Sequence, residues 1–274
     1  MNSMTWGDAR VDHSGFQRDE YVVEGTRTIV YSAGQGEPLV FFHGAGTWHG
    51  IDFARTWIDR FRVILPYHPG FGESDDSESA SNFQDYIDHY RNLFSLMNLS
   101  RFHLVGFSLG GRLAAEYAAE NTEQITKLAL IAPAGLEVEN ISLPDLREVK
   151  PEEFPAYMVN DLSTLKRYLP DGFDPQFMKM RERETSSTMR LLSDGFNNLS
   201  MPEVLQKLSM PSLIAWGQED RLLPAPLAVH WQKYVPNAQI QFFADAGHLV
   251  LDESVVAREA VAKFLSATPN KNEQ

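Results

Sequence analysis

The stretch Phe102-His103-Leu104-Val105-Gly106-Phe107-Ser108-Leu109-Gly110-Gly111-Arg112-Leu113-Ala114-Ala115-Glu116 decides the fold. An apolar run of strand character comes first, then one serine with a glycine two positions to either side, then residues that favour helix. Strand, sharp turn, helix with a serine at the corner is the arrangement of a nucleophile elbow. A serine on such a turn holds its hydroxyl clear of the sheet, and bulky side chains two positions away would obstruct the turn. The first amides of the following helix aim at the same place, where a negative oxygen would develop. A bare Gly-x-Ser-x-Gly arises by chance in glycine-rich chains, so the flanking strand and helix carry the meaning.

Working outward, the alternation repeats. Pro38-Leu39-Val40-Phe41-Phe42 is an apolar run closed by His43-Gly44, and Arg62-Val63-Ile64-Leu65 is another, closed by Pro69-Gly70-Phe71-Gly72. Tyr21-Val22-Val23 and Thr28-Ile29-Val30-Tyr31, joined by Glu24-Gly25, predict a hairpin. Apolar residues at Phe83, Tyr86, Ile87, Tyr90, Phe94 and Met97 recur in steps of three and four, which predicts a helix. Downstream, Lys127–Ile131, Ser212–Trp216 and Gln239–Phe243 read as strands, with helices near Pro226–Tyr234 and Ser254–Phe264. Unbroken apolar strands separated by helices predict an α/β fold, a doubly wound, mostly parallel sheet covered on both faces. The alternation breaks once, from Leu136 to Met210, where charged and methionine-rich helical fragments are punctuated by prolines. The expected organisation is a core of residues 1–135 and 211–274 with an inserted helical cap, or lid, at 136–210. Thr268–Gln274 reads as a frayed tail.

The chain has 274 residues and a formal net charge of −13, with 43% hydrophobic residues and no cysteine. That charge argues against nucleic acid as a partner. The missing cysteines exclude disulfides and thiolate chemistry and fit a reducing cytoplasm. Met1–Ala9 lacks the pattern of a secretory signal, and no apolar run approaches the ~20 residues needed to span a bilayer. The expectation is a cytoplasmic protein with a small-molecule substrate, no membrane partner and no cofactor. No His-Glu-x-x-His or other ligand spacing suggests a metal.

A serine hydroxyl needs a base, and the base needs an orienting carboxylate. Trp216-Gly217-Gln218-Glu219-Asp220 closes one late strand, and Ala246-Gly247-His248 follows the last. Loops after parallel strands emerge at one edge of the sheet, so Asp220 and His248 can meet Ser108 despite their distance in sequence. His43, His49, His68, His89, His103 and His230 compete as bases, but only His248 follows the final strand. Glu219 and Asp245 compete with Asp220, which the spacing from Gly217 favours. The run Lys179-Met180-Arg181-Glu182-Arg183-Glu184 reads as a solvated helix face. The aromatics Phe154, Tyr157, Phe173, Phe177 and Phe196, with the methionines around them, read either as an apolar lid or as packing for the insertion.

From about Glu24 to Phe264 the chain resembles the α/β-hydrolase superfamily, in particular its lidded serine hydrolases. His43-Gly44-Ala45-Gly46 resembles the family's oxyanion loop and Pro69-Gly70-Phe71-Gly72-Glu73-Ser74 its Pro-Gly-x-Gly-x-Ser segment, with Tyr67 where an aspartate is common. Gly217–Asp220 with Pro224 resembles its acid loop, and Gly247-His248 with Glu253 its histidine loop. The resemblance implies a catalytic triad of Ser108, Asp220 and His248, with an oxyanion hole formed by the backbone N–H groups of Ala45 and Leu109. Trp48, Phe107 and Leu249 are candidates for the substrate pocket; Trp48 could equally pack beneath the loop. The implied activity is hydrolysis of a carboxylic ester, thioester or lactone of a small to medium apolar substrate through an acyl-enzyme. Alternatives are the C–C bond hydrolases of meta-cleavage type, which usually carry other residues at the positions of Thr47 and Leu249, and a non-hydrolytic lyase or ligand receptor. The aspartate nucleophile of dehalogenases and epoxide hydrolases is absent.

Overall fold

The apolar runs form eight strands: β1 (Gln17–Val23), β2 (Thr26–Ala33), β3 (Glu37–Phe42), β4 (Phe61–Pro66), β5 (Phe102–Phe107), β6 (Ile125–Ile131), β7 (Ser212–Gly217) and β8 (Ala238–Phe243). The computed structural model describes residues 11–77, 80–146, 148–150 and 152–267. The expectations for Met1–Ala9 and for the tail at Thr268–Gln274 lie outside these. The strands make one sheet in the order β1-β2-β4-β3-β5-β6-β7-β8. β1–β2 and β2–β4 pair antiparallel, and every other pair is parallel. The expected hairpin turns at Glu24 and Gly25, both at positive φ.

Every residue of β5 and β7 is buried, which explains their unbroken apolar character. The edge strand β8 is only half-buried and correspondingly mixed. Around the sheet lie α1 (Phe83–Leu96), α2 (Leu109–Glu120), α6 (Leu227–Tyr234), α7 (Val250–Glu253) and α8 (Val255–Ser266). Asn82 caps α1 by accepting from Asp85 N–H while the Asp85 carboxylate reaches back, so a local sequence signal sets where that helix starts. Between β6 and β7 the chain runs through α3 (Pro155–Met158), α4 (Pro175–Leu191) and α5 (Met201–Gln206).

The topology positions the site. From β3 the chain steps outward to β4, and from β5 it steps the other way through β6, β7 and β8. The order therefore reverses between β3 and β5, where open α/β sheets leave a crevice at the carboxyl ends of their strands. Phe42 pairs with Gly106 in register, so the loop after β3 runs beside the turn after β5. Gly217 pairs with Phe243, which brings the loops after β7 and β8 to the same edge.

Candidate active site

Ser108 occupies the corner between β5 and α2 with φ 53° and ψ −119°, a conformation that residues with a Cβ rarely adopt. Four backbone hydrogen bonds hold it there. Its N–H donates to Ile131 O at 2.9 Å, and its carbonyl accepts from the N–H groups of Gly111, Arg112 and Ala134 at 2.9, 3.2 and 3.0 Å. The flanking glycines are required for space. A Cβ on Gly106 would come within 2.4 Å of Gly110 O, and one on Gly110 within 2.2 Å of His43 O.

His248 Nδ1 lies 2.8 Å from Asp220 Oδ2, and His248 Nε2 lies 2.9 Å from Ser108 Oγ. A carboxylate only accepts, so Nδ1 carries the proton and donates it, leaving Nε2 to accept from the serine hydroxyl. Asp220 Oδ1 accepts from Leu222 and Leu223 N–H at 2.9 and 2.8 Å, which fixes the carboxylate from the other side. Asp220 and His248 are buried, whereas the competing carboxylates Glu219 and Asp245 are exposed. His89 bonds Thr28. His103 lies within β5 and bonds Glu37 and Thr126, near the amino ends of the strands. The Phe107 ring packs 4.9 Å from the His248 imidazole.

Leu109 is the first residue of α2, so its N–H has no partner within the helix. Ala45 is exposed in the loop after β3, and a Cβ on the preceding Gly44 would stand 3.2 Å from Ser108 Cβ. Beneath that loop, His43 Nε2 accepts from His68 N–H at 3.0 Å. His68 Nε2–H donates to His43 O at 2.9 Å, and the Tyr90 hydroxyl donates to His68 Nδ1. Each ring thus has one nitrogen that must accept, so both imidazoles are neutral. Burial drives the same outcome, pushing His43 well below its ordinary value and His68 to about 3. A cavity of about 20 Å³ lies behind the loop, lined in part by Gly46, Thr47, His49 and Gly50.

The charged run at 179–184 is not the solvated face expected from its composition. On α4, Phe177, Met180, Glu184, Ser187 and Leu191 form one inward stripe, with Glu184 completely buried. Glu184 Oε2 accepts from Thr47 N–H at 3.2 Å; Oε1 accepts from the Thr47 hydroxyl at 2.5 Å and from Gly72 N–H at 3.1 Å. The Arg183 guanidinium donates to Gly72 O and Ser74 O, and Ser187 Oγ to Gly70 O. The Arg181 guanidinium lies over the Trp48 ring, 5.6 Å from its centroid, and burial lowers its pKa. The spacing 177, 180, 184, 187, 191 is the one signal that could have turned Glu184 inward, and the alternating charges around it and the polar Ser187 within it mask it.

Trp48, Phe107 and Leu249 are all buried, and Leu249 N–H donates to Met158 O at 2.8 Å. The aromatics of the insertion divide: Phe154 and Phe177 pack against the core, while Phe173 is 84% exposed.

The chain belongs to the α/β-hydrolase fold family, whose pattern matches residues 37–255. It is 28% identical over 247 residues to a 2-hydroxy-6-oxononadienedioate/2-hydroxy-6-oxononatrienedioate hydrolase of a Pseudomonas species, covering 80% of this chain and 84% of that protein. It is 26% identical over 277 residues to a cis-3-alkyl-4-alkyloxetan-2-one decarboxylase of Shewanella oneidensis, covering 87% and 85%. The solved structure of a bacterial membrane phospholipase A shares the fold with a TM-score of 0.78 at 22% identity, covering 92% of this chain and 86% of that one. Lipases, esterases and meta-cleavage product hydrolases are also among its relatives and structural neighbours. No helix among the described residues is long and apolar enough to cross a membrane.

Proposed function

We propose that the chain is a serine hydrolase that cleaves a carboxylic ester, thioester or lactone of a small to medium apolar substrate. The observation that carries this reading is the hydrogen-bonded series from Ser108 Oγ through His248 to Asp220, at 2.9 and 2.8 Å. Ser108 Oγ attacks the carbonyl carbon while its proton passes to His248 Nε2, and Asp220 stabilises the imidazolium. The carbonyl electron pair moves onto oxygen, which the N–H groups of Ala45 and Leu109 hold. As the pair returns, the bond to the leaving alcohol or thiol breaks, and that group takes the proton from His248. Water deprotonated by His248 then releases the acid from Ser108 by the same steps. The segment 136–210 acts as a cap that sets substrate size, with Trp48, Phe107 and Leu249 forming walls near the reacting carbon.

Turnover of p-nitrophenyl acetate and butyrate by the wild-type protein and Ser108→Ala tests this. The variant is expected to lose on the order of 10³-fold or more in kcat while remaining folded. Retained activity would remove Ser108 as nucleophile. C–C bond hydrolysis is the second reading, favoured by the Pseudomonas relative. Faster turnover of a 2-hydroxy-6-oxo-dienoate than of any ester in a chain-length panel would establish it instead.

A further inference from the structure

The oxyanion loop, His43-Gly44-Ala45-Gly46-Thr47, lies against Ser108 on one side and the 20 Å³ cavity on the other. Its first residue is held by the two hydrogen bonds between His43 and His68, and its far end, at Thr47, is held from α4. Glu184 is a completely buried carboxylate that takes two bonds from Thr47, at its N–H and its hydroxyl, two residues beyond Ala45. The same carboxylate takes Gly72 N–H, and Arg183 and Ser187, on the same helix, bind the carbonyls of Gly72, Ser74 and Gly70. Three donors on one buried carboxylate make a rigid joint, because losing any of them strands a desolvated polar group.

We propose that Glu184 is a positioning residue for the reaction, setting from the inserted segment where the Ala45 N–H stands relative to Ser108. This deepens the ester-hydrolase reading and rests on it. An oxyanion donor works only at 2.7–3.1 Å from the developing charge, and a misplacement of about 1 Å can cost on the order of 10²-fold in rate. The inserted segment would then do more than select substrates: it completes the transition-state site. Its withdrawal would disable the chemistry as well as open the pocket.

Glu184→Gln keeps the side-chain volume but leaves one acceptor oxygen for the two N–H groups of Thr47 and Gly72, which now bond different oxygens; it also removes the charge 3.7 Å from Arg181, a pairing that Thr47→Val spares. Thr47→Val removes only the hydroxyl donor and is the milder change. Both would be assayed with p-nitrophenyl acetate, whose small acyl group limits contact with the inserted segment, and with a trifluoromethyl ketone, which adds reversibly to Ser108 Oγ and presents an oxyanion. The expected result is a fall in kcat of on the order of 10- to 100-fold for Glu184→Gln, and a smaller fall for Thr47→Val. KM should stay within about twofold, and affinity for the ketone should fall in parallel with kcat/KM. A merely structural glutamate would lower the melting temperature and leave kcat and ketone affinity unchanged in the folded fraction; that outcome overturns the proposal. If Glu184→Gln does not fold, Thr47→Val decides by the same two measurements. Wild-type protein that hydrolyses no ester would refute the ester reading, whereas normal wild-type turnover with unaltered variants would refute the role of Glu184 alone.

Discussion

Ser108 holds a backbone conformation, φ 53°, that glycine adopts freely and other residues adopt at a cost of about 1–3 kcal/mol. Its four backbone hydrogen bonds keep it there, so the strain is stored and not relaxed. This permits a test that compares two dead variants. Ser108→Ala and Ser108→Gly both lose the hydroxyl and its bond to His248, and they differ only by a Cβ. Glycine relieves the strain but loses about 0.5–1 kcal/mol through the freedom it adds to the unfolded chain. Ser108→Gly is therefore expected to be more stable than Ser108→Ala by about 1 kcal/mol, or about 2–4 °C in Tm. Calorimetry of the two side by side checks it, and a Ser108→Gly variant less stable than Ser108→Ala by about 0.5–1 kcal/mol would show that the turn carries no strain.

Among the elements, two glutamates stand out in tying the chain between β6 and β7 to the loops around Ser108. Glu184 binds the loop after β3; Glu253, at the end of α7, binds the loop that carries His248. The Glu253 carboxylate accepts from Gly247 N–H at 2.6 Å, from Asn160 N–H at 2.8 Å and from Asp161 N–H at 2.7 Å, tying the loop that carries His248 to the chain just after α3. A Cβ on Gly247 would meet the backbone of Val159 and Asn160 at 2.8 Å, so the two loops touch as well as bond. Glu253→Ala orphans one buried donor, Gly247 N–H, and hands the exposed Asn160 and Asp161 N–H groups to water, and a loss of about 1 kcal/mol is expected. Hydrogen exchange should speed up at Asn160 and Asp161 while β5 and β6 keep their protection; unchanged exchange at those two amides would mean the latch carries no load. The strands, the elbow and the separation of Asp220 and His248 were legible in the sequence because each rests on local chemistry, such as apolar runs, glycines with no room for a Cβ, and loops that follow strands. Glu184 was not, because within Arg181-Glu182-Arg183-Glu184 the charges alternate as they would on a surface. Only the helical phase, set by Phe177, Ser187 and Leu191, turns one of them inward. Partners 137 residues apart, such as Thr47 and Glu184, leave no local trace.

On the scale of the whole molecule, acid pH sets two electrostatic effects against each other. A formal charge of −13 at pH 7 means that exposed carboxylates repel, and protonating them on the way to pH 5 relieves that repulsion. Buried histidines pull the other way. His43 and His68 are held neutral beneath the loop after β3, with His68 lowered to about 3, and His89 is lowered by burial to about 4. Each ordinarily titrates near 6.5 once unfolded, so the unfolded chain takes up the proton first. The stabilisation from keeping them neutral is complete above about pH 6.5 and drains away as pH falls toward 3–4. For His68 alone the loss between pH 7 and pH 5 is about 2 kcal/mol. Salt separates the two effects, because about 0.5 M salt screens repulsion between exposed carboxylates and leaves buried groups nearly untouched. At that ionic strength Tm is expected to fall by several degrees from pH 7 to pH 5. His68→Gln, although less stable at neutral pH for want of its two hydrogen bonds, should fall by less over the same interval. Thermal melts of both proteins at the two pH values decide the matter: a wild-type Tm that stays level or rises, or a variant whose slope matches it, would mean that the histidines beneath the loop after β3 are not the groups that make the fold acid-sensitive.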